Sequence, residues 1–117
     1  MPPAPKVVVA AGDLTPFVTA LFEAAGTAPA HAATITDVLL WAALRGVDSH
    51  GVMRVPRYVE LIAAGDLNPR PAIKVTTEAP AAVVLDADRA AGPVAMTLGM
   101  AAAEEALPAI RTKIGIK

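Results

Sequence analysis

The residues with the most chemistry to offer are His50 and Arg54, four positions apart in the string GVDSHGVMRVPRYVELIAAGDLNP from Gly46 to Pro69. His50 stands between Ser49 and Gly51, in a turn that leads into a helix beginning near Pro56. An imidazole titrates near neutral pH, so it can give a proton to a carbonyl oxygen as hydride reaches the carbon. A guanidinium is permanently charged and planar, and its fork matches a carboxylate bidentately. The start of a nearby helix adds backbone donors for an anion. Together these groups can hold and protonate a 2-oxo acid. On residue types alone the ordinary reading is the favoured one. His50 then packs its turn, and Arg54 pairs with Asp48 or Glu60 on a solvated face, contributing only ~0.2 to 1 kcal/mol.

The elements that position this pair are punctuated by proline and glycine. Lys6 to Ala10 is a β-branched run compatible with an edge strand. A first helix is expected to be capped by Asp13 or Thr15, to tolerate Pro16 in its opening turn, to bury Leu14, Phe17, Val18, Leu21 and Phe22, and to end at Gly26. A second starts at Thr27, keeps Pro29 in its first turn and runs through Ile35, Val38, Leu39 and Ala42 to Gly46. Trp41 lies on its apolar face and is expected in the core. Ser49, His50 and Gly51 then form a turn leading into a third helix that starts near Pro56 and stops at Gly65. Ile73 to Thr77 and Ala82 to Leu85 read as strands around a Glu-Ala-Pro turn. A last helix opens at Gly92 and Pro93 and reaches about Leu107, where Pro108 damages its continuation.

Composition limits what these elements can do. Hydrophobic residues are 55% of the 117, yet aromatics are only 3%, so the apolar content is mainly alanine. Alanine removes little surface from water, so such helices need neighbours to hold them. The net charge of -1, from 10 basic and 11 acidic residues, leaves no footprint for nucleic acid or an anionic membrane. With no cysteine, and with His31 and His50 far apart, a structural metal is not expected. The start lacks the pattern of a signal peptide and no run is long enough to span a bilayer, making a cytoplasmic location the default expectation.

The string from Gly46 to Pro69 closely resembles the signature of the malate/L-lactate dehydrogenase family. The flanks agree: Trp41, Leu44 and Arg45 precede it, and a strand ending at Asp86 and a Gly92-to-Met96 stretch follow. The resemblance implies an oxidoreductase that transfers hydride between NAD(P)H and a 2-oxo or 2-hydroxy acid such as malate or lactate. It implies His50 as the proton donor, Arg54 as the residue that binds the substrate carboxylate and NAD or NADP as the cofactor; Ser49 is a candidate contact for the cofactor or the substrate. The partners it implies are a small carboxylate substrate and, in the complete enzyme, a second copy in a homo-oligomer, a dimer. The fold it implies is α/β, N-terminal helices plus short strands, as a fragment of a larger non-classical NAD(P)-dependent dehydrogenase fold. Residues 1–117 would be its N-terminal part, helical over about 13–65, with strands and a helix over about 73–107. The family does not use the G-x-G-x-x-G fingerprint, and this chain contains none.

Three departures accompany the resemblance. Ala43 stands where many members carry an acidic residue, and the end PAIRTKIGIK departs from the usual passage from helix to strand. Members are also much longer, with most cofactor contacts, a second Asn-His motif and an acidic partner for the histidine expected beyond Lys117. The rival reading is a non-catalytic truncated remnant or interaction module that keeps the local fold. Among other candidates, His31 is expected at a helix surface without a role, and Asp86 and Asp88 to shape a turn. Glu104 and Glu105 are expected to reach solvent. Arg57 competes with Arg54 as the anion site, but Glu60 three residues on gives it a partner of its own. Tyr58 is expected to pack, at a subunit contact or at the pocket.

Overall fold

Three glycines with positive φ, Gly26, Gly46 and Gly65, follow the first three helices and turn the chain back on itself. The computed structural model describes residues 1–79 and 82–113. It places α1 at Ala11–Ala24, α2 at Pro29–Leu44, α3 at Val55–Ala64 and α4 at Gly92–Lys113. Between α3 and α4, β1 (Lys74–Ala79) and β2 (Ala82–Asp86) pair antiparallel, Lys74 opposite Asp86, with a shift of register between Val75 and Thr77. This is the mixture of helices and short strands that the sequence implied. The expected Glu-Ala-Pro turn includes Pro80, which lies outside the described residues, as do the last four of the chain.

The core is where α1 and α2 meet, with α3 and the start of α4 closing it. Val18 and Phe22 of α1 bury against Ala32, Ile35, Leu39 and Leu40 of α2, and Val55, Ala91 and Val94 complete the cluster. Tyr58 packs as expected: its ring lies 6.2 Å from that of Phe22, tilted by 56°. The fully buried Thr36 does not lose its hydrogen bond, since Thr19 Oγ1 donates to its hydroxyl at 3.1 Å. The turn after β2 is shaped as foreseen. Asp86 accepts from the Asp88 N–H at 3.0 Å, and the Asp88 carboxylate accepts from Asn68 Nδ2 and the Ala72 N–H, each at 2.9 Å.

Several expectations are corrected. Lys6 to Ala10 forms no strand; it is exposed, and β1 and β2 pair with each other and leave it no partner. Helix α1 starts at Ala11 with Ala10 as its cap, ahead of Asp13 and Thr15. Asp13 instead falls in the first turn, where its charge suits the helix dipole. Pro16 is inside the helix, and the carbonyl it deprives belongs to the exposed Gly12, which water can satisfy. Helix α2 begins at Pro29, capped by Ala28 rather than started at Thr27. Phe17 and Leu21 are exposed by 61% and 38% and stand off the core. Helix α4 passes Pro108 and reaches Lys113, again because the carbonyl without a partner, that of Glu104, faces solvent.

The result is elongated, 60 × 33 × 26 Å, with a radius of gyration of 17.5 Å. A compact domain of about 100 residues has ~13 Å. The thin alanine core shows here as apolar surface left open along α2 and α4, at Val38, Leu44, Met96 and Met100.

Candidate functional site

Helix α2 ends so as to throw the chain toward His50. The Gly46 N–H donates to the Ala43 carbonyl at 3.1 Å and the Val47 N–H to that of Ala42 at 3.0 Å, so two carbonyls of the helix's last turn are capped. Gly46 has φ of 75°, the left-handed geometry this closure needs. Two single turns of 3-10 helix follow, Asp48–His50 and Val52–Arg54, leading straight into α3. Val55 is helical although Pro56 follows, held by its own burial.

Gly51, between the two turns, lies directly on α2. A Cβ built on it would stand 2.9 Å from the Ala43 Cβ and 3.1 Å from its Cα, closer than real side chains approach backbone. Small residues at 43 and 51 therefore seat the His50 loop on the helix. We expect Gly51→Ala to destabilise the chain by ~1 to 3 kcal/mol, the usual range for overpacking, measured by denaturant unfolding. A stability within error of the parent would mean that the loop is not seated there.

Within the loop, His50 and Arg54 are both tied to Ser49. The Ser49 hydroxyl lies 2.9 Å from His50 Nδ1, and Arg54 Nε donates to the Ser49 carbonyl at 2.6 Å. Both side chains border an open groove of about 1070 Å³ between α2 and α4. Its walls are largely apolar, with Val38, Leu39 and Trp41 on one side and Met96 and Met100 on the other. Arg54 is the one permanent cation among its described lining residues. Arg57 does not line the groove; its Nη1 lies 3.3 Å from Glu60 Oε2, in a pair whose side chains are 60% and 67% exposed. The spacing rule for helices anticipated that pairing. Glu104 reaches the solvent-open edge of the groove, while Glu105 is exposed and outside it. His31 lies elsewhere, in a small recess beside Thr27 and Asn68. Among the described residues no group of three potential ligands gathers around a metal position. None of the helices is long and apolar enough to cross a membrane.

Trp41 is a groove residue that sequence reasoning misplaced. It is 57% exposed and forms part of the groove wall, with the Arg45 guanidinium 4.0 Å from the centre of its ring. Arg45 Nη1 also donates to the Trp41 carbonyl at 3.3 Å. The four-residue spacing of Trp41 and Arg45 was the available signal, since residues so spaced meet on one helix face. On the α4 side of the groove, Gly92 to Met96 entered only through the family resemblance, and Thr97 and Met100 gave no local signal.

Comparison with known proteins gives this arrangement its context. The family model for malate/L-lactate dehydrogenase matches residues 9–110. The chain is 39% identical over 104 residues to the malate dehydrogenase of Pyrococcus abyssi, covering 89% of this chain and 28% of that protein. It is 43% identical over 76 residues to ureidoglycolate dehydrogenase (NAD(+)) of Escherichia coli K12, covering 65% of this chain and 22% of that protein. Among solved structures, malate dehydrogenase from Pyrococcus horikoshii OT3 superposes with a TM-score of 0.77 at 35% identity, over 80% of this chain and 27% of that one. Sulfolactate dehydrogenase from Methanocaldococcus jannaschii does so with a TM-score of 0.82 at 29% identity, over 86% and 29%. The chain thus spans less than a third of the length of these relatives. Matched by the family model from before α1 into the last turns of α4, the chain belongs to the malate/L-lactate dehydrogenase family.

Proposed function

We propose that this chain supplies the carboxylate anchor and the proton-transfer group of a dehydrogenase that interconverts a 2-hydroxy acid, such as malate or lactate, with its 2-oxo acid. The observation that carries the reading is that His50 and Arg54 share one anchor, Ser49, and border one groove. Arg57 is occupied by Glu60. Arg54 has spent its Nε on the Ser49 carbonyl, and its terminal nitrogens make no hydrogen bond among the described residues. They can take a carboxylate end-on. His50 has its Nδ1 beside Ser49, which leaves Nε2 to give a proton to the carbonyl oxygen in reduction and take it back in oxidation.

NAD or NADP is the hydride carrier of this proposal, and when bound it supplies the hydride in one direction and accepts it in the other. The donor set here suits its reacting end only. Apolar walls and the Ser49-His50 turn suit a flat ring, but a diphosphate needs several cations or a cradle of backbone donors. The one permanent cation among the groove's described lining residues is assigned to the substrate. The diphosphate contacts therefore belong, in this reading, to the portion that the relatives carry beyond the matched region. The open apolar surface of α2 and α4 supports association with such further chain. A cytoplasmic homo-dimer is the assembly we propose for the complete enzyme.

The test joins this chain to that remaining portion and supplies NADH or NADPH with a panel of 2-oxo acids. Oxidation of the cofactor that depends on the 2-oxo acid is expected, and a folded assembly that reduces none of the panel overturns the reading. The 117 residues alone should consume no cofactor above a control without protein; sustained turnover would show that the reacting unit is smaller than proposed.

A further inference from the structure

Helix α4 forms one wall of the groove, yet little of it is held from behind. Ala91, just before it, and Val94, in its first turn, are buried in the core, and among the described residues none of α4 after Val94 is. Farther on the helix leans on β2, where a Cβ built on Gly99 would stand 3.5 Å from Leu85 Cδ1. Both supports meet in one turn, Asp86 to Ala91, which joins the end of β2 to the start of α4. Met100 lies eight residues beyond Gly92, about 12 Å along the axis, so a tilt of about 10° at the base carries it about 2 Å. The turn therefore sets how wide the groove stands.

That turn adopts a backbone that its residues do not favour. Asp88 and Arg89 have φ of 48° and 56°, and among the described residues they are the ones other than glycine with positive φ. Such conformations are costly for a residue with a Cβ and persist where the surroundings over-determine them. Here four bonds do so. Asp88 Oδ2 accepts from Asn68 Nδ2 and from the Ala72 N–H, each at 2.9 Å. The Arg89 carbonyl accepts from the Asn68 N–H at 2.9 Å, and Arg89 Nη1 donates to the Gly65 carbonyl at 2.6 Å. All four run to the segment that follows α3. That segment is itself tied to the reversal between α1 and α2: the Ala28 N–H donates to the Pro69 carbonyl at 3.2 Å, and Arg70 Nε to that of Gly26 at 3.2 Å. The base of α4 is thus registered against the other three helices at once.

We propose that Asp88 is a positioning residue, whose carboxylate fixes the tilt of α4 and through it the width of the groove that His50 and Arg54 border. The geometric part stands on the bonds above, which do not depend on what covers the outer face of α4. Its consequence for catalysis rests on the function proposed above. Asp88→Ala removes two of the four bonds and leaves position 88 with a left-handed backbone that alanine disfavours. Asp88→Asn keeps a side-chain oxygen that can accept both bonds, and asparagine tolerates left-handed geometry.

The chain has no cysteine, so introduced pairs carry spin labels at chosen sites alone. Dipolar electron spin resonance of the 117-residue chain with Asp37→Cys on α2 and Glu105→Cys on α4, both exposed, reads the separation of the two helices. Glu23→Cys with Asp37→Cys reads the α1–α2 hairpin. Glu105 lies about 20 Å along α4 from Gly92, so Asp88→Ala is expected to shift the α2–α4 distance by about 3 Å or to broaden it comparably. The α1–α2 distance should stay as it was, and Asp88→Asn should keep both at their parent values. An α2–α4 distribution unmoved by Asp88→Ala, or an equal change in both pairs, overturns the proposal. If Asp88→Ala does not fold, Asn68→Ala, which removes one donor and leaves position 88 intact, decides by the same criteria.

In the complete enzyme Asp88→Ala should raise KM for the 2-oxo acid by about 3- to 10-fold, the scale of one lost apolar contact, with kcat within about 2-fold. The split follows because His50 and Arg54 are carried by a loop seated on α2, which the change leaves in place. Asp88→Asn should match the parent. An unchanged KM, or a fall in kcat alone, overturns the link between groove width and substrate. If the distances behave as expected in an assembly that reduces no 2-oxo acid, the positioning of α4 is supported and the assigned reaction fails.

Discussion

His50→Gln in the complete enzyme is expected to lower kcat by about 10²- to 10⁴-fold, the range for a positioned acid–base group. Glutamine keeps polarity at the edge of the groove but cannot exchange a proton. Cofactor affinity should change much less, because the loss falls on the chemical step. Reduction uses the proton on His50 and oxidation returns it, so both directions should slow together in His50→Gln. A kcat that matches the parent in both directions rejects the role.

Arg54→Lys is expected to weaken carboxylate substrates by about 10- to 150-fold in kcat/KM, since losing a hydrogen bond to a charged group costs ~1.5 to 3 kcal/mol. Lysine keeps the charge but loses two things. It has no fork to meet a carboxylate, and it has no Nε to tether its end to the Ser49 carbonyl. Arg57→Lys should do far less, because that side chain is paired with Glu60 on an exposed face away from the groove. Comparing a 2-oxo acid with its amide in both variants separates carboxylate binding from general damage. Equal loss on acid and amide in Arg54→Lys, or a greater loss on the acid in Arg57→Lys, moves the anion site elsewhere.

Features that depend on near neighbours were legible in the sequence. Pro29 and Gly46 bracket α2, Gly65 ends α3, and the Arg57–Glu60 pair follows from helix spacing. His50 and Arg54 stood out by type, and the longer string tied them to a family that the comparisons bear out. What escaped depends on the third dimension. Lys6 to Ala10 has the residues of a strand, but pairing is made by a partner, and β1 and β2 take each other. Trp41 sits on an apolar stretch of α2, yet which part of that helix is covered depends on where α1 and α4 arrive. Ser49 stood out for its hydroxyl, but Arg54 is tied to its carbonyl, which every residue type carries equally.

The seam between α1 and α2 also bears on the order in which the protein takes shape. Phe22, Ile35 and Leu39 are buried together within the first 44 residues, and a short reversal after α1 brings the two helices alongside each other. Contacts between residues close in sequence cost little loop entropy and form early. During synthesis the α1–α2 hairpin can therefore assemble before α4 has emerged, and the His50 loop follows directly from its end. The loop then docks through Gly51 onto a surface that already exists at Ala43. His50 is delivered to a prepared seat, while the opposite wall of the groove arrives last.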